Sequence, residues 1–254
     1  FRTTKQFGID PITFIRGISS LFFYFKSYYK FRDNYKGQIN FYPCLHDHNQ
    51  ESGKTQNEYF WQDLIIARRI HEDAPKKHVD IGSRLDGFVA HVATFRDIEV
   101  FDIRPTTSDI PGVVFTQADL MSKNFLSNLK ENDYCDSLSC LHTIEHFGLG
   151  RYGDTINPNG YRLGLENMAK LLLPDGKFYL SNPSGKERVE FNENWVFDPR
   201  TIIEVSSKNK LKIKLLTIFN VEEGIKTLEP SDENLLDIAK HQYNLCIFTF
   251  IKLI

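Results

Sequence analysis

Short apolar runs rich in β-branched residues alternate with amphipathic segments between residues 78 and 206. The short runs have the pattern of strands, whereas the segments between them repeat their apolar residues at helical spacing. Such alternation is typical of βαβ units, in which a largely parallel sheet carries helices on both faces. The predicted strands are residues 78–82, 99–102, 113–116, 134–141 and 177–182. The predicted helices are residues 85–95, 121–129, 161–173 and 199–206.

The segments on either side of this alternation complete the predicted domain. Residues 57–70 repeat apolar side chains at helical spacing, and Pro75 ends that helix before the first strand. Residues 211–221 and 243–253 are long strand-like runs separated by a polar segment. We therefore expect an antiparallel hairpin at the edge of the sheet.

Residues 57–254 are thus predicted to form one α/β domain, with residues 1–56 as a helical or irregular N-terminal appendage. The densest apolar run of the appendage, residues 18–25, lies between Arg16 and Lys26. It is much shorter than the ~20 residues that a membrane-spanning helix needs. A packed helix is the simplest interpretation. Contact with a membrane surface, a lid over an acceptor pocket and a homo-oligomer contact are the alternatives.

Composition narrows the classes of partner. The chain of 254 residues has 31 Lys and Arg against 33 Asp and Glu, and the formal charge of −2 gives no global electrostatic basis for nucleic-acid binding. The four cysteines match neither a zinc-ribbon spacing nor a compact disulfide framework, which predicts a reducing, cytoplasmic compartment. Cys44, His46 and His48 lie close in sequence, but a solvated loop is the favoured interpretation, and no metal site is predicted.

Residues 78–88 predict a nucleoside-binding turn at the carboxyl end of the first strand. Gly82 lets the backbone approach a ligand, and Ser83 with the helix start that follows presents unpaired amide groups. Asp102 lies twenty residues beyond Gly82, at the end of the next strand, where a carboxylate accepts hydrogen bonds from ribose hydroxyls. Asp119, after the third strand, is placed to meet an exocyclic amino group.

These motifs, in this order, resemble the class I S-adenosylmethionine-dependent methyltransferases over residues 57–254. The resemblance is carried by residues 79–83, Asp102, Ala118, Asp119, residues 139–142 and residues 171–180. Residues 142–154 are similar to a little-characterised bacterial and nematode group, some of it associated with surface-polysaccharide genes. The resemblance implies a Rossmann-like doubly wound sheet of about seven strands in the order 3-2-1-4-5-7-6, with strand 7 antiparallel, which agrees with the predicted hairpin.

The resemblance also implies S-adenosylmethionine as cofactor and S-adenosylhomocysteine as product. It carries over a set of cofactor-binding candidates at the strand ends. These are Asp80, Ile81, Gly82, Ser83, Gly87, Asp102, Ile103, Arg104, Ala118, Asp119, Leu120 and Leu141.

The loop after the first strand departs from the family's acid-x-Gly-x-Gly-x-Gly pattern, because Arg84 and Asp86 occupy the later glycine positions and Gly87 follows. An NAD-dependent enzyme is one alternative, since Asp102 would also serve its ribose, but the chain lacks the Gly-x-Gly-x-x-Gly fingerprint. A non-catalytic binding or scaffold protein of the same fold, in which Arg84 has spoiled the loop, is a further alternative.

A histidine cluster of His142, Glu145 and His146 follows the fourth predicted strand. Its spacing matches the inverted zincin pattern of zinc proteases, but that pattern lies within a long helix, whereas here Gly148 and Gly150 follow closely. In a methyltransferase, either histidine is a candidate general base, with Glu145 orienting it, and packing beneath the cofactor is the alternative. Because a base helps a hydroxyl acceptor more than an amine, the cluster favours O-methylation.

The acceptor side is predicted around the polar loop of residues 182–195, where loops carry function more often than stability. An aromatic ring there could stack on a sugar, and an arginine could hold a phosphate or carboxylate. Solvated side chains are the alternative. The substrate candidates are Tyr59, Gln62, Arg151, Tyr152, Arg188, Glu190, Asn192 and Trp195. We therefore expect O-methylation of a small polar or glycan-like acceptor, such as a sugar or phospho-sugar.

Overall fold

The computed structural model describes residues 11–46, 55, 57–128, 134–221 and 223–254. The chain divides into two compact units, residues 1–54 and residues 55–254.

The described part of the first unit contains a long helix, α1 (Pro11–Asn34). The chain after α1 returns along it, because the ring of Phe41 lies 4.8 Å from that of Tyr28 and 6.4 Å from that of Tyr24. None of the helices formed by the described residues is long and apolar enough to cross a membrane.

The described residues of the second unit form ten strands. They are β1 (His78–Ile81), β2 (Ile98–Asp102), β3 (Val113–Gln117), β4 (Cys135–Leu141), β5 (Leu172–Ser184), β6 (Arg188–Glu190), β7 (Asn194–Val196), β8 (Leu211–Asn220), β9 (Gly224–Leu228) and β10 (Asn244–Lys252). Eight of them form one sheet in the order β3-β2-β1-β4-β5-β10-β8-β9, and β6 pairs with β7 in a separate ribbon.

The sheet confirms the predicted α/β fold. Strands β1 to β5 are parallel, and β10 runs antiparallel between β5 and β8. With β8 and β10 as the sixth and seventh strands, this is the predicted order 3-2-1-4-5-7-6. The difference is β9, which forms in the segment expected to be only polar and pairs antiparallel with β8. The β8–β10 hairpin therefore does not end the sheet.

Helices fill the connections, and one of them forms between β9 and β10, in the segment expected to be only polar. They are α2 (Glu58–Asp73), α3 (Ala90–Ala93), α4 (Phe125–Asn128), α5 (Gly160–Leu171), α6 (Pro199–Lys208) and α7 (Asp232–Lys240). Asn57 caps α2 by accepting a hydrogen bond from the amide of Tyr59. The predicted helix over residues 85–95 is instead a π-helical turn followed by the short α3, because Gly87 has non-helical angles of φ −129° and ψ −110°.

The sheet separates two apolar clusters, one on each face. Along β5, Phe178 and Leu180 join the cluster that includes Leu165 of α5, whereas Tyr179 joins the cluster that includes Ile66 of α2. Adjacent residues of a strand point to opposite faces, so the two clusters lie on opposite sides of the sheet. The carboxyl ends of β1, β2 and β4 are thereby fixed along one edge of a two-sided core.

Candidate functional site

The register of the parallel strands brings three predicted site residues together at the carboxyl ends of the strands. Ile81 of β1 pairs with Phe101 of β2, and Asp80 pairs with Ser139 of β4. Gly82 and Asp102 directly follow the first pair, and His142 directly follows β4. The three residues therefore lie at neighbouring strand ends. This is the position at which open α/β sheets bind ligands.

Asp80 and Ser83 build the turn after β1 from the inside. The Oδ2 atom of Asp80 accepts from the amide of Ser83 at 2.9 Å, and Oδ1 accepts from the hydroxyls of Ser83 and Ser139. The Ser83 hydroxyl in turn accepts from the amide of Leu141 at 3.3 Å. Burial raises the pKa of Asp80 to about 6, although the donors from Ser139 and Ser83 lower it. Both side chains are buried, so they organise the turn and face away from solvent.

Two predicted glycines lie where another segment approaches the turn. Gly82 has φ +68°, and a Cβ atom there would lie 2.4 Å from Cγ2 of Thr143. A Cβ atom at Gly87 would lie 2.8 Å from Oδ2 of Asp63. The turn after β1 is therefore closed against the loop after β4 on one side and against α2 on the other.

Asp102 is held in an ion pair with Arg104. Its Oδ1 atom accepts from the backbone amide and Nε of Arg104 at 2.8 Å and 3.0 Å, and Oδ2 accepts from Nη2 at 2.6 Å. The guanidinium lies 4.6 Å from the centre of the Tyr152 ring. Sequence reasoning named Asp102 and Arg104 as cofactor-binding residues and Tyr152 as a substrate candidate, and the structure joins all three in one group. Ile103, between the pair, is half-buried.

The loop after β3 is tied to its neighbours. The amide of Ala118 donates to the carbonyl of Asp102 at 2.9 Å, and Oδ1 of Asp119 accepts from the amide of Met121 at 2.8 Å. The carbonyl of Leu120 accepts from Nδ2 of Asn167 at 2.7 Å. Asp119 is half-buried at this position, whereas Leu120 is buried.

His142, at the carboxyl end of β4, has an unusual backbone conformation and close side-chain contacts. It is not glycine, yet it has φ +50°, a left-handed conformation that usually marks a turn or a functional site. Its Nδ1 atom lies 2.8 Å from Oε1 of Glu145, and its ring lies 4.5 Å from the ring of Tyr59 at an interplanar angle of 33°. The Nε2 atom is buried and has no hydrogen-bond partner among the described residues. The nearest carboxylate oxygen, Oε1 of Glu58, lies 3.5 Å away.

Three carboxylates determine the basicity of His142. Burial lowers the pKa of the imidazole, but the negative charges of Glu145, Glu58 and Asp63 and the hydrogen bond to Glu145 raise it, and the net pKa is above the usual value for histidine. The same surroundings act on Tyr59, whose pKa is raised to about 12 by burial and by the charges of Glu145 and Glu58. Because Glu145 binds Nδ1, the lone pair of a neutral His142 lies on Nε2. This arrangement can accept a proton.

Sequence reasoning missed several residues that support His142. The hydroxyl of Tyr243 donates to Oε1 of Glu58 at 2.7 Å. The backbone amide of His142 donates to the hydroxyl of Ser181 at 3.1 Å, and that hydroxyl donates to the predicted residue Gln62. These residues are distant from residue 142 in sequence and follow no motif, so only packing could reveal them.

His146 lies in a different environment. Its Nδ1 atom lies 2.8 Å from the carbonyl of Glu193, which also accepts from Nη1 of Arg151 at 3.0 Å. Burial lowers the pKa of His146, and the charge of Arg151 lowers it further, although Glu145 raises it. Its ring packs edge-on against Tyr152 at 5.4 Å. His146 thus joins the loop after β4 to the β6–β7 ribbon.

The zincin geometry is not formed. Residues Ile144–His146 make a short 3-10 turn directly after β4, whereas the zincin pattern places both histidines on one helix. Among the described residues, no three His, Cys, Asp or Glu side chains are grouped as metal ligands. Of the cluster considered near the N-terminus, His48 lies outside the described residues.

The remaining substrate candidates lie on the β6–β7 ribbon. Arg188 pairs with Glu190 at 2.9 Å and donates to the carbonyl of Gln242 at 2.8 Å. Asn192 is exposed at the turn of the ribbon. The ring of Trp195 stacks on that of Phe197, with ring centres 5.9 Å apart, and also packs against Tyr161. The Trp195 ring thus packs against core aromatic residues, and its role in stacking on a sugar stays a prediction.

Comparisons with known proteins agree with this geometry at the level of the fold. The sequence model of a family described as "Caenorhabditis protein of unknown function, DUF268" matches residues 113–208. A search of curated proteins found no match.

Solved structures resemble most of the chain at low sequence identity. N-methyltransferase NodS from Bradyrhizobium japonicum has a TM-score of 0.51 and 12% identity, covering 78% of this chain and 98% of its own. 1,6-Didemethyltoxoflavin-N1-methyltransferase from Burkholderia thailandensis, with bound 1,6-didemethyltoxoflavin and S-adenosylhomocysteine, has a TM-score of 0.52 and 13% identity, covering 97% and 92%. The [4+2]-cyclase SpnF has a TM-score of 0.51 and 12% identity, covering 76% and 80%. The chain therefore has the Rossmann-like fold of S-adenosylmethionine-dependent methyltransferases.

Proposed function

We propose that residues 55–254 form an S-adenosylmethionine-dependent methyltransferase that methylates a hydroxyl group of a small polar or glycan-like acceptor. The observation that carries the proposal is the placement of Gly82, Asp102 and His142 at neighbouring carboxyl ends of β1, β2 and β4. In such a sheet this edge binds ligands.

The residues of the edge fit the groups of the cofactor. Asp102 suits the ribose hydroxyls, and Asp119 suits the amino group of the adenine. A Cβ atom at Gly82 would meet the Thr143 methyl group, so packing against the loop after β4 requires the glycine. S-adenosylmethionine carries no phosphate, so the absence of the Gly-x-Gly-x-x-Gly fingerprint counts less against it than against a dinucleotide.

Arg104 sets a condition on this fit. Both carboxylate oxygens of Asp102 accept hydrogen bonds from Arg104. Oδ1 already accepts two hydrogen bonds, whereas Oδ2 accepts one and can accept a second from a ribose hydroxyl. The guanidinium can stay in place over the ring of Tyr152.

S-adenosylmethionine would supply a methyl group on a positively charged sulfur, which leaves as a neutral thioether when the acceptor oxygen bonds to the methyl carbon. The proposed role of His142 is to accept the hydroxyl proton on Nε2. Glu145 keeps the proton of Nδ1 in place and stabilises the imidazolium that results. This pairing favours a hydroxyl acceptor, because a neutral amine attacks without prior loss of a proton.

Access to Nε2 involves the start of α2. The Nε2 atom is covered, with Oε1 of Glu58 at 3.5 Å and the ring of Tyr59 against the imidazole. An acceptor reaches Nε2 when these two side chains are displaced. We therefore include Glu58 and Tyr59 in the acceptor side of the site.

A second candidate is a protein of this fold that does not transfer methyl groups. The ion pair between Asp102 and Arg104 favours it, since the pair satisfies the carboxylate without a ligand. The shared fold of a [4+2]-cyclase indicates that this architecture is not restricted to one reaction.

Calorimetry separates the two candidates. The methyltransferase proposal expects binding of both S-adenosylmethionine and S-adenosylhomocysteine, and transfer of a radiolabelled methyl group to members of a panel of sugars and phospho-sugars. If neither compound binds, the methyltransferase proposal is overturned. Binding of S-adenosylmethionine without transfer to hydroxyl acceptors, but with transfer to amines, would retain the enzyme and overturn the acceptor class.

A further inference from the structure

An apolar stripe runs along α1 and is open to solvent. It consists of Phe14, Ile18, Phe22, Phe25 and Tyr29, whose spacing of three to four residues places them on one face of the helix. Their exposed fractions run from 45% at Phe25 to 79% at Phe22. Single exposed apolar side chains are common in proteins, but a continuous row of large ones marks a binding surface.

One side of α1 is partly covered by the segment that follows the helix, whereas Ile15, Phe23 and Phe31, outside the stripe, are also exposed. The ring of Phe41 packs against Tyr24 and Tyr28. Near the start of the helix, Gly17 is buried, and a Cβ atom there would lie 3.1 Å from the imidazole of His46. The segment after α1 thus packs on one side of the helix, and the stripe faces another.

The charged residues that adjoin the stripe are Lys26, Arg32 and Asp33. With about 3.6 residues per turn, Lys30 lies further round the helix and Arg16 lies on the opposite side. The helix carries these four basic residues and one acidic residue in all. All four basic side chains are exposed. The guanidinium of Arg32 lies 5.5 Å from the centre of the Tyr29 ring, so a cation adjoins the aromatic end of the stripe. An apolar face with lysine and arginine beside it and aromatic rings at its border is complementary to the surface of an anionic membrane.

We propose that α1 binds the surface of a membrane that contains anionic lipids, with the apolar stripe inserted between head groups and the basic residues beside it at the phosphate level. The helix lies along the surface, because it lacks the hydropathy of a spanning segment among the described residues. This inference does not depend on the proposed methyl transfer. A second copy of the chain and a protein partner are the competing occupants of the stripe.

Vesicle binding tests the proposal. The full chain is sedimented with phosphatidylcholine vesicles that contain either no anionic lipid or phosphatidylglycerol as a substantial fraction. We expect binding to the anionic vesicles, weakened at high salt, since surface charges are screened over about 10 Å at 0.1 M salt. The double variant Ile18→Asp/Phe22→Asp should bind at least tenfold more weakly. Lys26→Glu/Lys30→Glu should lose the preference for anionic lipid.

A matched control places the same charges elsewhere. Ile156→Asp/Val221→Asp changes two apolar residues of the second unit that are 70% and 76% exposed, and it should bind vesicles like the unmodified chain. Circular dichroism verifies that each variant keeps its helix content. The proposal is overturned if the unmodified chain binds no anionic vesicles, or if the Ile18/Phe22 variant binds as well as the control. If the unmodified chain binds no vesicles but forms a dimer that dissociates in the Ile18/Phe22 variant, the stripe binds a second copy of the chain.

Discussion

The Nδ1 atom of His142 lies 2.8 Å from Oε1 of Glu145, and both side chains are buried at the end of β4. This pair fixes the imidazole so that Nε2 points toward Glu58 and Tyr59 on α2. The other carboxylate oxygen of Glu145 has no hydrogen-bond partner in the described part of the chain, so the link to His142 is its main side-chain interaction. If the site methylates hydroxyl groups, this pair should control how its rate depends on pH.

Replacing Glu145 with Gln should move the pH dependence of kcat/KM to lower pH. Burial lowers the pKa of His142, but the charges of Glu145, Glu58 and Asp63 raise it more, so the net pKa is raised. Activity should rise as the pH increases through that pKa, because His142 then loses its proton and can act as a base. Removing one of those charges lowers the pKa, so the neutral base appears at lower pH. NMR titration of the labelled histidine gives the pKa directly. Glu72→Gln, at an exposed ion pair on α2, should leave it unchanged.

The two histidines should differ in their effect on turnover. His142→Gln should lower kcat by about 100-fold or more, the usual contribution of a general base, while the affinity for S-adenosylmethionine stays the same. His146→Gln should have a much smaller effect, because Nδ1 of His146 is engaged with the carbonyl of Glu193. Single-turnover kinetics and calorimetry separate the two quantities. Equal rates in the His142 variant and the unmodified chain would remove His142 from the mechanism.

Asp102→Asn should weaken binding of S-adenosylhomocysteine by about ten- to hundredfold, since hydrogen bonds to a charged group contribute ~1.5–3 kcal/mol. Calorimetry measures this change. Asp97→Asn is a suitable control because Asp97 is exposed just before the opposite end of the same strand. An unchanged affinity in the Asp102 variant would contradict the proposed contact with ribose.

Gly82→Ala should destabilise the domain more than Gly153→Ala. Both glycines have a positive φ. A Cβ atom at Gly82 would lie 2.4 Å from Thr143, whereas a Cβ atom at Gly153 would have no atom of the described residues within 4 Å. The left-handed conformation alone should reduce the free energy of unfolding by ~1–2 kcal/mol, and overpacking adds ~1–3 kcal/mol at Gly82. Urea denaturation measures both.

Thr143→Ser provides a test of the contact itself. It removes Cγ2 while keeping the hydroxyl, which donates to the carbonyl of Leu141. In this background Gly82→Ala should lose most of its additional effect, leaving a penalty close to that of Gly153→Ala. The same penalty in both backgrounds would show that the Thr143 methyl group is not the cause.

Much of the fold followed from local patterns. The parallel strands and the antiparallel β8–β10 pair were expected, because the period of apolar residues reports which face of an element is buried. The strand order was expected only from the family resemblance. Strand β9 was missed since its residues are half-buried or exposed, so its pattern lacks a clear apolar face. The irregular turn over residues 85–89 was also missed, because the conformation of Gly87 depends on contact with its neighbours.

Local patterns were enough to predict the fold class and the strand ends at which Gly82, Asp102 and His142 lie, because alternating burial and short turns depend on neighbouring residues. Packing between distant segments sets which side chains contact one another. Tyr243 and Glu58 are 185 residues apart, yet they meet beside His142. Such contacts arise when α2 packs over the strand ends, and no local spacing of residues records that packing.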